Sequence, residues 1–133
     1  MLGPVTTGAG VAEVVIYAVD LARLRDFYRA VLGLDVQEVG EGFVTLGPPD
    51  GALSIVAMPA GIAAELARRP VVPITDAAIK PVLLVASLDV ALDAVGAHGG
   101  QPAEGATTWT YLGRRRQDVV DPDGNVVQLA ERA

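Results

Sequence analysis

Two stretches of this chain follow one plan. Ala12–Leu32 reads AEVVIYAVDLARLRDFYRAVL and Lys80–Ala97 reads KPVLLVASLDVALDAVGA: an apolar strand-like run, an aspartate, then an amphipathic segment. Each copy later closes on a turn and a final apolar strand, GPPDGALSIVAM at Gly47–Met58 and DPDGNVVQLA at Asp121–Ala130. The offset of about 70 residues exceeds a solenoid repeat, so the pattern implies two fused modules and not a stacked array. A chain of 133 residues built this way suits one compact domain with a real core.

Composition excludes several function classes. Cysteine is absent, which removes disulfides, thiolate nucleophiles and cysteine-based metal sites together. Ten basic against sixteen acidic residues give a net charge of −6. Such a surface repels nucleic-acid phosphates and anionic membranes. No apolar run reaches the ~18 residues of a membrane span. Met1–Gly10 lacks a basic n-region and an apolar h-region, and is expected to be a flexible lead-in and not a signal peptide. These features point to a cytoplasmic protein with no nucleic-acid or membrane partner.

In the first copy, Glu13–Val19 has the Val, Ile and Tyr content of a strand. Asp20 suits an N-cap, and Leu21, Leu24, Phe27, Tyr28, Val31 and Leu32 recur at helical spacing up to Gly33. Short strands at Val36–Val39, Phe43–Leu46 and Ala52–Met58 complete a β-α-β-β-β order. Pro59–Pro81 breaks the pattern and reads as a linker with a short helix at Ile62–Arg69. The second copy predicts a strand at Val82–Ser87, Asp89 as N-cap, and a helix at Val90–His98. A weak strand at Gln101–Glu104 precedes a hairpin of Tyr111–Val120 and Val126–Ala130 around Asp121-Pro122-Asp123-Gly124-Asn125.

Alternation along the strands fixes which side chains share a face. Val14, Ile16 and Ala18 form one uniformly apolar set, as do Val127 and Leu129, and these suit burial under the helices. Glu13, Val15 and Tyr17, with Val126, Gln128 and Ala130, then line the opposite, concave face, where a ligand should sit.

Three segments together resemble the vicinal oxygen chelate superfamily, which holds glyoxalase I, bleomycin resistance proteins and extradiol dioxygenases. They are VDLARLRDFYRAVLGL at Val19–Leu34, LDVALDAVGAHGG at Leu88–Gly100 and GRRRQDVVDPDGNVVQLAER at Gly113–Arg132, in this order and spacing. The resemblance implies an α+β fold in which two βαβββ modules form an open, cup-shaped mixed sheet with helices outside. It implies a single domain over residues 1–133, with module 1 at about 11–58, a linker at 59–80 and module 2 at about 81–132. It also implies a homodimer.

Superfamily members that do chemistry usually hold a divalent metal through His, Gln or Glu on the first and last strands of each module. Carried over by position, those ligands fall on Glu13, at or near Ser54, on Val82 and on Gln128. Valine donates nothing, and neutral Ser and Gln oxygens bind transition metals weakly. The sole histidine, His98, sits at a helix end, where it would meet terminal carbonyls or solvent. No metal and no cofactor are therefore expected.

Glu13 is the one carboxylate placed on the concave face, where it is either a general base or a paired, structural acid. Arg115 matches an arginine frequent in the family motif and either reaches the cup or remains a surface cation. Arg114 and Arg116 point the other way. Trp109 and Tyr111 in TTWTY offer rings for stacking a flat or cationic molecule, with Phe43 and Tyr17 adding to the wall. The alternative is that these rings fill core or dimer contacts.

The resulting expectation is a metal-independent protein, resembling bleomycin resistance proteins, that sequesters an aromatic or cationic small molecule. Its ligand-binding residues would be Glu13, Ser54, Trp109, Tyr111, Arg115 and Gln128. The alternative is a metal-free lyase, isomerase or cyclase with Glu13 as base. A metal-dependent glyoxalase or dioxygenase is disfavoured by the missing ligands.

Overall fold

A computed structural model describes residues 8–133; of the Met1–Gly10 lead-in, all but Gly8, Ala9 and Gly10 lies outside the described residues. The first half folds as β1 (Glu13–Ala18), α1 (Leu21–Leu32), β2 (Val36–Gly40), β3 (Phe43–Leu46) and β4 (Ala52–Ala57). A short helix α2 (Ala60–Ala67) opens the linker. The second half gives β5 (Val82–Val85), α3 (Leu88–Ala97), β6 (Gln101–Pro102), β7 (Trp109–Tyr111), β8 (Arg114–Val120) and β9 (Val126–Glu131). The sheets have orders β1-β4-β3-β2 and β5-β9-β8-β6, with β7 also on β8. In each, the strand before the helix lies parallel to the last strand and the remaining pairs are antiparallel.

Local chemistry explains the boundaries. Asp20 caps α1 by accepting from Arg23 N at 3.1 Å, and Gly33 closes it in the left-handed conformation. In α3 the cap is Ser87, whose Oγ accepts from Val90 N at 3.3 Å, and not the expected Asp89. Asp89 sits instead in the first turn, where a carboxylate complements the exposed amides. The expected single strand Tyr111–Val120 is two strands. Leu112 (φ 50°) and Gly113 (φ 73°) both adopt positive φ between them, the requirement of a tight two-residue hairpin.

The apolar faces of both sheets share one core with the helices. Ile16, Leu53 and Ile55 come from the first sheet, Leu83, Val127 and Leu129 from the second, and Phe27, Tyr28, Leu88 and Val95 from the helices. Helix α1 packs on α3 and also reaches β5. Its Phe27 ring lies so close to Gly100 that a Cβ there would stand 2.6 Å from it. The turn after β8 locks the halves together. Asp121 accepts from Tyr28 Oη of α1 at 2.7 Å, while Asp123 takes Val19 N at 2.9 Å and the Arg23 guanidinium at 2.7 Å. The linker runs across this turn, with Ile74 N donating to Gly124 O at 2.8 Å. Only glycine fits at 124, because φ is 92° and a Cβ would meet Val72 O at 2.6 Å.

Both sheets therefore turn their other faces away from the helices. Among the described residues no strand of one sheet pairs with a strand of the other. Strands β1 and β5 each form the outer edge of their own sheet.

Candidate functional site

The outward face of the first sheet is read from its register. One row across it is Val15, Ser54, Thr45 and Glu38; the next is Tyr17, Val56, Phe43 and Gly40. Glu13 stands one step along from Val15. Its carboxylate accepts a short hydrogen bond from Ser54 Oγ, and that oxygen lies 2.7 Å from Thr45 Oγ1. Glu13, Ser54 and Thr45 thus form one polar chain flanked by the half-exposed side chains of Val15 and Tyr17. Tyr17 lies on this face as the strand alternation predicts, and Phe43 shares it.

The outward face of the second sheet has matching rows. One runs Trp109, Arg116, Ala130 and Leu84; another runs Asp118, Gln128 and Val82; Tyr111 pairs with Arg114 beside them. Gln128 is held at both ends. Its Oε1 accepts from Arg116 Nη1 at 3.0 Å, and its Nε2 donates to Asp118 Oδ1 at 3.2 Å. Asp118 is paired in turn with Lys80 at 3.1 Å. Arg116 also donates through Nε to Tyr111 O at 3.0 Å, and its guanidinium carbon lies 5.1 Å from the Tyr111 ring centroid. One face of that ring is therefore already stacked against a cation.

Arg115 does not reach this face. It pairs with Asp89 at 3.2 Å and Glu131 at 3.6 Å on the helix side. The two-residue period is the reason: Arg114, Arg116 and Asp118 share the face of Gln128, so Arg115 is opposite. Arg116, missed as a site residue, could have been found by counting parity from Gln128 across the Asp121–Asn125 turn.

The four positions expected to carry metal ligands do not suit a divalent ion. Glu13 and Ser54 are bonded to each other, Val82 supplies no donor, and a guanidinium occupies the oxygen of Gln128. Among the described residues no group of three or more His, Cys, Asp or Glu side chains could hold an ion. His98 is remote from both faces, its Nδ1 2.9 Å from Ala94 O at the end of α3. No hydrogen bond among the described residues joins the Glu13 chain to the Gln128 cluster. The candidate groups thus stand on two separate sheets.

A cavity of about 750 Å³ lies elsewhere, between the start of α1, α2 and the linker. Each of its charged groups is engaged: Arg23 pairs with Asp123, Arg69 pairs with Glu65, and Asp20 caps α1. That leaves few uncommitted polar atoms for recognising a ligand, so the outward faces remain the stronger candidate. A smaller space of about 310 Å³ opens beside Glu13, Glu38 and Thr45.

The sequence profile of the Glyoxalase/Bleomycin resistance protein/Dioxygenase superfamily matches residues 10–129. Among solved structures, a glyoxalase/bleomycin resistance protein from Albidiferax ferrireducens T118 superposes with a TM-score of 0.67 at 20% identity, covering 92% of this chain and 98% of that one. A glyoxalase/bleomycin resistance protein/dioxygenase family enzyme from Burkholderia phytofirmans PsJN gives 0.65 at 18% identity, with the same coverages of 92% and 98%. The bleomycin resistance determinant encoded on transposon Tn5 gives 0.59 at 17% identity, covering 93% of this chain and 98% of that one. At these identities the likeness concerns the fold. No protein of curated function matches the chain by sequence.

Proposed function

The chain belongs to the Glyoxalase/Bleomycin resistance protein/Dioxygenase superfamily, and on that basis we propose that it captures a small planar molecule without a metal and without chemistry. The observation that carries this reading is the Arg116–Gln128 hydrogen bond. It puts a fixed positive charge where a metal-binding relative would place its cation. What remains on the two faces is a binding surface: the Trp109 ring, the polar chain of Glu13, Ser54 and Thr45, and the Gln128 cluster. The bleomycin resistance determinant among its structural neighbours is consistent with sequestration.

The working unit in this reading is a homodimer. The halves of the site lie on different sheets, and the outer sides of edge strands β1 and β5 carry no further strand among the described residues. Exposed apolar edges of this kind favour pairing with another chain.

The hydrogen-bonded chain of Glu13, Ser54 and Thr45 favours one second reading, an enzyme with Glu13 as base. A screen of planar aromatic compounds by Trp109 fluorescence separates the two. For sequestration, Trp109→Ala weakens binding of a hit by about 1–3 kcal/mol, and Glu13→Gln changes affinity only modestly with no compound being turned over. Turnover by the wild type that Glu13→Gln abolishes would establish the enzyme instead.

A further inference from the structure

We infer that Arg116 is an anion receptor, and that the captured molecule is a planar compound bearing a carboxylate or a comparably charged oxygen. This rests on the sequestration reading and narrows its ligand class.

Arg116 is a cation held ready and left without an acid. It is only 9% exposed, yet no carboxylate of the described residues forms an ion pair with it. The nearest candidate on its face, Asp118, is committed to Gln128 and Lys80. Its neighbour Arg115 shows the contrast, being paired with Asp89 and Glu131. A buried charge lacking a counter-charge is costly and strongly favours the arrival of one.

Its orientation is also fixed. Tyr111 O holds Nε and Gln128 Oε1 holds Nη1, each at 3.0 Å, while the Tyr111 ring backs the plane. Nη2 has no hydrogen-bond partner among the described residues. Because no buried polar side-chain atom of the described residues lacks a partner, Nη2 is open to solvent. A planar guanidinium with its remaining donors presented suits a carboxylate better than a lysine ammonium would.

The neighbours supply the rest of the subsite. Trp109 lies directly across from Arg116 on one side, 37% exposed. On the other side Ala130 keeps the space beside the guanidinium small-chained before Leu84. An aromatic ring stacked on Trp109 would bring an attached carboxylate to Arg116. The overall charge of −6 acts at long range and is screened, whereas this contact is local. The expectation of a cationic ligand is therefore replaced at this face by an anionic one.

Equilibrium dialysis with three probes of one shape tests the inference: 2-naphthoate, 2-naphthamide and 2-naphthylmethylamine. In the wild type, naphthoate should bind at least about tenfold more tightly than the amide, as expected for a charge-assisted hydrogen bond. Arg116→Gln should bring the two within about twofold, and Arg116→Lys should keep part of the preference. Equal binding of all three probes to the wild type, or preference for the amine, overturns the anion receptor and leaves sequestration standing. If no probe binds at millimolar concentration, both fall. The wild-type comparison decides the matter even if Arg116→Gln does not fold.

Discussion

Asp121→Ala should remove about 3–5 kcal/mol of stability, a large fraction of what a small domain possesses. Asp121 is 2% exposed and accepts four hydrogen bonds. Two come from the backbone N–H groups of Asp123 and Asn125, one from Asn125 Nδ2 and one from Tyr28 Oη. Alanine would strand the buried Tyr28 Oη and three partly buried donors, and would cut one of the links between α1 and the second half. Asp121→Asn keeps one oxygen for the two backbone donors and should cost far less. Burial is the largest influence on the Asp121 carboxyl and raises its pKa from the ordinary 3.8, outweighing the hydrogen bonds that pull it down. The folded state then takes up this proton at a higher pH than the unfolded chain does. Between the raised pKa and about 3.8, stability from this group grows as pH falls. Denaturant melts of wild type and Asp121→Asn should therefore show the advantage of the wild type widening from pH 7 towards pH 4. A margin that shrinks on acidification would mean the carboxyl is not destabilised by its burial.

Leu84→Pro should convert a dimer into monomers and weaken probe binding by more than about tenfold, with little cost to the fold of each chain. In β5, Pro81 O and Val85 O accept from Gln128 N and Arg132 N. The backbone groups of Val82 and Leu84 consequently point the other way, off the sheet. The same parity holds in β1, where Ala12 O and Ala18 O bond to β4 and the groups of Val15 and Tyr17 point outward. Proline at 84 removes one of these outward donors and no ladder bond within the chain. Sedimentation equilibrium should give twice the 13.7 kDa chain mass for the wild type and the single mass for the variant. A wild type that stays monomeric at high concentration rules out the proposed dimer.

Much of the fold was legible because its signals are local. The repeat gave both modules, helical spacing from Leu21 to Leu32 gave α1, and strand parity put Glu13 and Gln128 on outward faces. The misses have physical causes. Leu112 is a poor marker of a turn because leucine rarely takes positive φ, so the sequence runs Tyr111 into the following strand and gives Trp109 and Thr110 no strand of their own. Asp89 was read as a cap by analogy with Asp20, while Ser87 two residues earlier held the better position. Arg115 was favoured by motif likeness, which parity overrules in favour of Arg116. How the two sheets sit relative to one another depends on Phe27, Tyr28 and Asp121 meeting across about 90 residues of chain, and no local pattern encodes that.

Metal content is the decisive test of capture without a metal. Protein purified without chelator should carry far less than one ion per chain, and titration with Ni²⁺, Zn²⁺, Mn²⁺ or Fe²⁺ should show no tight site. One firmly held ion per chain, lost in both Glu13→Gln and Gln128→Ala, would contradict it.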